Sequence, residues 1–211
     1  MKTSHKLSSF LVLLNGFIFL FSCENTHRKL PILGERDFVN GDSVYHTIPD
    51  FSFVNQDSTE ITNKTFEGKI YVADFFFTTC PTICPIMKKQ MLRVYEKYKE
   101  NPQVGILSHT IDPRHDSVKV LKEYAIRLGV SKGNWQFVTG EKEKIYTIGE
   151  KSYYVTAGED SSAAGGIIHS GAFILVDTKR RVRGIYDGTK EEDVTKLLKD
   201  MDILLTEKDE K

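Results

Sequence analysis

"IYVADFFFTTCPTICPIMKKQMLRVYEKYKENPQVGILSHTI" runs from Ile70 to Ile111. It opens on an apolar run, residues 70–77, that reads as a strand buried on both faces, and it closes on a second such run, residues 104–111. Between them Met87, Met91, Val94, Tyr95 and Tyr98 recur at helical spacing, with Lys88, Lys89, Arg93 and Lys97 largely on the opposite face. Strand, helix, strand over this length is a βαβ unit with parallel strands. At the end of its first strand stand two cysteines four positions apart, Cys80 and Cys84, each followed by a proline.

Outward from this unit the pattern continues. Val118, Leu121, Tyr124, Ala125 and Leu128 mark a second helix over residues 117–128. "WQFVTG" is a short third strand, and residues 141–153 have helical character. "GAFILVD" and "RVRGIYDG" form a hairpin around "TKR", and "KEEDVTKLLKDMDILL" closes the chain as an amphipathic helix. A βαβ half followed by a ββα half around one sheet is the thioredoxin arrangement. The expected fold is therefore α/β and thioredoxin-like, with a central mixed β-sheet flanked by helices.

The chain has 211 residues, 40% hydrophobic and 27% charged, which suits one globular domain with appendages. Its formal net charge is zero, so nothing points to nucleic acid as a partner. GxGxxG, GxxxxGK[ST] and HExxH motifs are absent, as are internal repeats. Lys2, His5 and Lys6 precede the apolar run "FLVLLNGFIFLF", which has signal-peptide length. The run ends in "LFSC", a pattern like the bacterial lipobox, in which the cysteine, here Cys23, is lipidated and becomes the new first residue. An ordinary signal peptide or an uncleaved anchor is the alternative. The expected organisation is a lipoprotein signal peptide over residues 1–22, a polar tether over 23–45, the domain over 46–206 and a charged tail over 207–211. The protein would be exported and held on the membrane by its lipid, facing the periplasm or extracytoplasmic side.

Of three cysteines, lipidation of Cys23 leaves Cys80 and Cys84 in an oxidising compartment. A structural disulfide closing so few residues would restrict the unfolded chain little, so a redox or metal pair is the better reading. Cys80 leaves the carboxyl end of a core strand, where open α/β sheets place their sites. The following helix directs its N-terminal partial charge at this spot, which favours thiolate. Pro81 suits a first helical turn. Pro85 lacks an N–H, so the cysteine turn is expected to be irregular, mobile and solvent-facing, with the regular helix starting near Pro85. His169 lies just before the strand at residues 171–177, approaching the same edge. Ordinary thioredoxin-like oxidoreductases carry a cis-proline there, but no proline follows Pro113. Two thiolates and an imidazole form a soft set suited to copper in either oxidation state. His109 and His115 lie around the turn after the second strand and read as solvated loop histidines.

"FFFTTCPTICPIM" is similar to the CxxxCP signature of the Sco/SenC copper chaperones. "SHTIDPRHDS" resembles their S-x-D-P-x-x-D turn, with Asp112, Pro113 and Asp116 at matching positions, and "HSGAFILVD" resembles their HSxxxxLxD strand. The resemblance spans roughly residues 48–205. Ile168 stands where many members have an aspartate, and Thr82 and Ile83 where Asp and Val are frequent. The resemblance implies that Cys80, Cys84 and His169 bind Cu(I) or Cu(II), and that copper delivery or cysteine reduction serves assembly of the copper-bearing subunit of cytochrome c oxidase or another copper or thiol acceptor. Asp112 is read as an accessory residue, either at the site or fixing the turn before Pro113. The enzyme reading is a thiol–disulfide oxidoreductase with a redox-active disulfide, Cys80 attacking and Cys84 resolving. A peroxiredoxin would need Pro and Thr where this chain has Ala73 and Phe77. A lipid-tethered interaction module with a structural disulfide leaves His169 unexplained.

Overall fold

The computed structural model describes residues 29–130, 133–159 and 167–207. In chain order, β1 (Arg36–Val39) and β2 (Asp42–Tyr45) form a two-stranded ribbon. β3 (Ser52–Asn55) and β4 (Glu60–Thr62) form a hairpin, followed by a 3-10 turn at Asn63–Phe66. Then come β5 (Ile70–Phe76), α1 (Ile83–Tyr98), β6 (Val104–Thr110), α2 (Val118–Arg127), β7 (Trp135–Thr139) and α3 (Lys142–Ser152). β8 (Ala157–Glu159) and β9 (Ile167–His169) make a second ribbon. β10 (Ala172–Val176), β11 (Val182–Asp187) and α4 (Glu191–Thr206) complete the fold.

The main sheet has the order β11-β10-β5-β6-β7-β3-β4. β5, β6 and β7 run parallel, and the flanking strands pair antiparallel. This is the mixed sheet flanked by helices that the sequence pattern predicts. Every residue of β5 and β6 is buried, as expected of strands covered on both faces. On one face, Tyr124 of α2 stacks on Phe76, while Arg93 and Tyr98 of α1 bond to Thr195 and Asp202 of α4. On the other, α3 approaches β5 so closely that a Cβ on Gly149 would sit 3.0 Å from the Phe75 ring.

Three differences from the sequence reading bear on the site. α1 begins at Ile83 rather than near Pro85, so Cys84 and Pro85 are inside its first turn. Proline is tolerated there because the first helical N–H groups have no intrahelical partner. Lys88, assigned by its charge to the solvent face of α1, is buried. His109, read as a solvated loop residue, is the sixth residue of β6 and is wholly buried. Its ring stacks on Phe75 at 4.8 Å and meets Phe53 edge-on at 5.2 Å.

The chain ahead of the domain packs against it within the span read as a tether. Leu30 is buried, and its carbonyl accepts from Arg183 Nη2 at 2.6 Å. Leu33 N–H donates to the Val182 carbonyl at 2.8 Å.

Candidate metal and redox site

The six residues between β5 and α1 carry the first thiol, and the first turn of α1 carries the second. Cys80 is 8% exposed and Cys84 2%, while Pro81 and Thr82 between them are exposed. The turn therefore faces solvent through its backbone and Thr82, not through its sulfurs, which corrects the expectation of solvent-facing thiols.

The two thiols differ in acidity. Burial raises the pKa of Cys80, but it is outweighed by hydrogen bonds from the backbone N–H groups of Thr82 and Cys84, the Cys84 thiol and the Thr82 hydroxyl, so the net direction is down. The Thr82 Oγ1 lies 3.7 Å from Cys80 Sγ. Burial pushes Cys84 up to about 12; a backbone bond from Phe77 and the charge of Lys88 counter this only in part. Cys84 is the donor in the thiol–thiol contact, which further favours its protonated form. Cys80 is thus poised as a thiolate, and Cys84 as the thiol that holds a proton beside it.

Asp116, not Asp112, ties the D-P-x-x-D turn to the cysteine loop. Its buried carboxylate accepts from the Thr78 N–H at 3.0 Å, the Thr78 hydroxyl, the Thr110 hydroxyl at 2.5 Å and His115 Nδ1 at 3.0 Å. Thr78 is two residues ahead of Cys80. Asp112 acts through its backbone, accepting from the N–H groups of His115 and Asp116 and donating to Thr110 Oγ1. The His115 side chain is 51% exposed and is held on the rim by Asp116, whose hydrogen bond raises its pKa.

His169 ends β9, paired with Ala157 across the ribbon, and the next residue, Ser170, donates its N–H to the Thr156 carbonyl at 2.9 Å. Gly171 then lies against the start of α1, where an added Cβ would be 3.8 Å from Ile83 Cδ1. The segment bearing His169 thus reaches the helix turn that carries Cys84. Among the described side chains, which do not include that of His169, no three His, Cys, Asp or Glu converge on a metal position. Cys23 lies outside the described residues. Among those residues no helix is long and apolar enough to cross a membrane.

Beneath the thiols is a group that sequence reasoning missed. Lys88 Nζ sits 2.5 Å from Asp74 Oδ2 and 3.3 Å from Ser108 Oγ. The Ser108 hydroxyl donates to Asp74 Oδ1 and accepts from Trp135 Nε1 at 2.9 Å. The signal was present: Cys84, Met87, Lys88 and Met91 follow the i, i+3, i+4, i+7 spacing of one helix face.

The SCO1/SenC family model matches residues 40–204. A solved SCO1/SenC family lipoprotein from Bacillus anthracis has a TM-score of 0.69 and 29% identity, over 76% of this chain and 95% of that one. BsSco, a member of the Sco family of cytochrome c oxidase assembly proteins with a disulfide switch, has a TM-score of 0.68 and 32% identity, over 77% of this chain and 95% of that one. Arabidopsis thaliana ScoI with copper bound has a TM-score of 0.62 and 25% identity, over 75% of this chain and 98% of that one.

Proposed function

The chain belongs to the SCO1/SenC family, and from that premise we propose that it is an extracytoplasmic, lipid-tethered copper-binding protein serving assembly of the copper centre of cytochrome c oxidase. The observation that carries this reading is the contact between Cys80 and Cys84 at the start of α1, with Gly171, two residues after His169, lying beside Ile83. Two thiols in mutual contact become two soft donors once their protons leave, and an imidazole adds the borderline donor that the cupric ion favours. Copper is the cargo. Cys80, the more acidic thiol, is the first sulfur available to it, and binding displaces the proton of Cys84. Delivery is ligand exchange, an acceptor's thiolates replacing these in turn. The copper-bound Arabidopsis relative and the oxidase-assembly role of BsSco support the reading.

The unequal acidity of the two thiols favours a second reading, thiol–disulfide exchange with the acceptor's cysteines. Cys80 thiolate would attack an acceptor disulfide and release one acceptor thiol; Cys84, giving up its proton, would then displace the second and close the pair as a disulfide, so that the acceptor is reduced by two electrons. Copper titration of the reduced protein tests the first reading. A one-to-one complex with a sulfur-to-copper charge-transfer band is expected. His169→Ala should weaken Cu(II) binding and remove nitrogen coupling from the electron paramagnetic resonance spectrum while sparing Cu(I). Cys80→Ser or Cys84→Ser should damage both. An unchanged cupric spectrum in His169→Ala would sink the three-ligand site and move the assignment to disulfide exchange.

A further inference from the structure

Lys88 follows Cys84 by four residues, so it lies on the same face of α1, one turn deeper. Its side chain is 3% exposed and that of Asp74 0%. The ammonium stands over the Phe76 ring at 4.1 Å, with the Trp135 and Phe137 rings each at 5.8 Å. Burying such a pair is a poor route to stability, since apolar side chains of the same shape are often as good or better. Neither thiol exchange nor copper ligation as described above requires it. What it does provide is a fixed field. The Ser108 hydroxyl holds the other carboxylate oxygen of Asp74, Oδ1, and Lys88 acts on Cys84 in the sense that favours negative charge there. Lys88 is the member of the pair on α1, one turn along from Cys84, whereas Asp74 belongs to β5.

The charge of a copper complex at the thiols depends on oxidation state. Two thiolates and a neutral imidazole around Cu(I) carry a net charge of minus one. The same donors around Cu(II) are neutral. A positive charge fixed in the low-dielectric interior stabilises the first and leaves the second nearly untouched.

We propose that the Lys88–Asp74 pair is the counter-charge that makes Cu(I) the favoured cargo of this site. The inference rests on the copper reading above and adds the oxidation state that the ligand set alone leaves open. Lys88 is a specificity-determining residue that acts on copper through the field at Cys84 and touches no metal.

The test is the ratio of the two copper affinities in the full reduced chain. Cu(I) is measured by competition with a chromophoric cuprous chelator, and Cu(II) by competition with glycine followed by electron paramagnetic resonance. Two double variants remove the charges together, because removing one alone strands its partner. These are Lys88→Met with Asp74→Leu, and Lys88→Gln with Asp74→Asn. The second keeps the polar contacts should the first not fold. Each should lower the preference for Cu(I) over Cu(II) by about tenfold, mostly through weaker Cu(I) binding. Equal weakening of both ions is what a merely structural role produces, and it overturns the proposal, as does a ratio that rises. If the unaltered protein binds neither ion, the copper reading itself has failed. If it binds both and the ratio does not move, this inference alone has failed.

Discussion

Asp116 is the residue on which the cysteine loop hangs. Replacing it with Ala strands the Thr78 N–H and the Thr110 hydroxyl, at a cost of roughly 2–3 kcal/mol. Asp112→Ala should cost under about 1 kcal/mol, since Asp112 holds the turn through its backbone N–H and carbonyl. Denaturant unfolding of the two variants checks this order, and equal losses would mean that the Asp112 side chain also holds the turn. The thiols make a second residue-scale prediction. Cys80 should be alkylated at lower pH than an ordinary thiol, and Cys84 should stay unreactive until far higher pH. Peptide mapping after timed alkylation reads each thiol, and parallel profiles would refute the asymmetry. His109 makes a third. Burial lowers its pKa from 6.5 to about 3, and neither ring nitrogen has a hydrogen-bond partner among the described residues. The unfolded chain therefore binds a proton between these values that the folded chain refuses. Stability from this group is intact above pH 6.5 and falls as pH drops toward 3, by about 1.4 kcal/mol per pH unit at most. His109→Leu should flatten that slope in acid unfolding curves and leave the protein at least as stable at neutral pH.

α1 shows which parts of an element a sequence reveals. Its apolar stripe was legible, and with it the parallel pair of strands, because burial repeats at helical spacing from Met87 to Tyr98. Its start was not legible, because Pro85 reads as a breaker although it occupies a position that needs no N–H. Pro85→Ala should accordingly change the melting transition by no more than about 0.5 kcal/mol equivalent; a larger loss would mean that the ring itself orders the cysteine turn. Lys88 was misplaced for a different reason. Its charge outweighed its spacing in the reading, and only its partner Asp74 on β5 explains its burial. β3 and β4 escaped notice because their inward positions are not all apolar. Asn55 points in, where it donates to Gln136 Oε1 at 2.6 Å and accepts from the Asp57 and Thr59 N–H groups. An alternation test that asks for hydrophobic residues cannot find a strand closed by an asparagine. Of the site, the two thiols were legible from their spacing. Asp116 was visible only as part of a motif, since its partners Thr78 and Thr110 come from different strand ends.

At the scale of the molecule, the thiols and the entering chain occupy opposite ends of the sheet. Cys80 follows the carboxyl end of β5, whereas Val176 of β10 pairs with Tyr71 at the amino end of β5, and Leu30 and Leu33 bond to Arg183 and Val182 just beyond it. On the lipidation reading, Leu30 is seven chain steps from Cys23. Even fully extended they reach about 25 Å, so the amino end of the sheet is held near the bilayer and the thiols face outward, toward an acceptor rather than toward lipid. Cys23→Ser should then release the protein from membranes with copper binding intact, and the mass of the native protein should include a diacylglycerol on Cys23. Orientation is a separate matter and has its own measurement. In vesicles carrying a headgroup-bound quencher, a fluorophore attached at Glu67, exposed beside the amino end of β5, should be quenched strongly, and one at Arg114, exposed on the turn after β6, weakly. Equal quenching at the two positions would mean that the packed entry segment does not set the orientation, and that an acceptor must find the thiols on a freely tumbling domain.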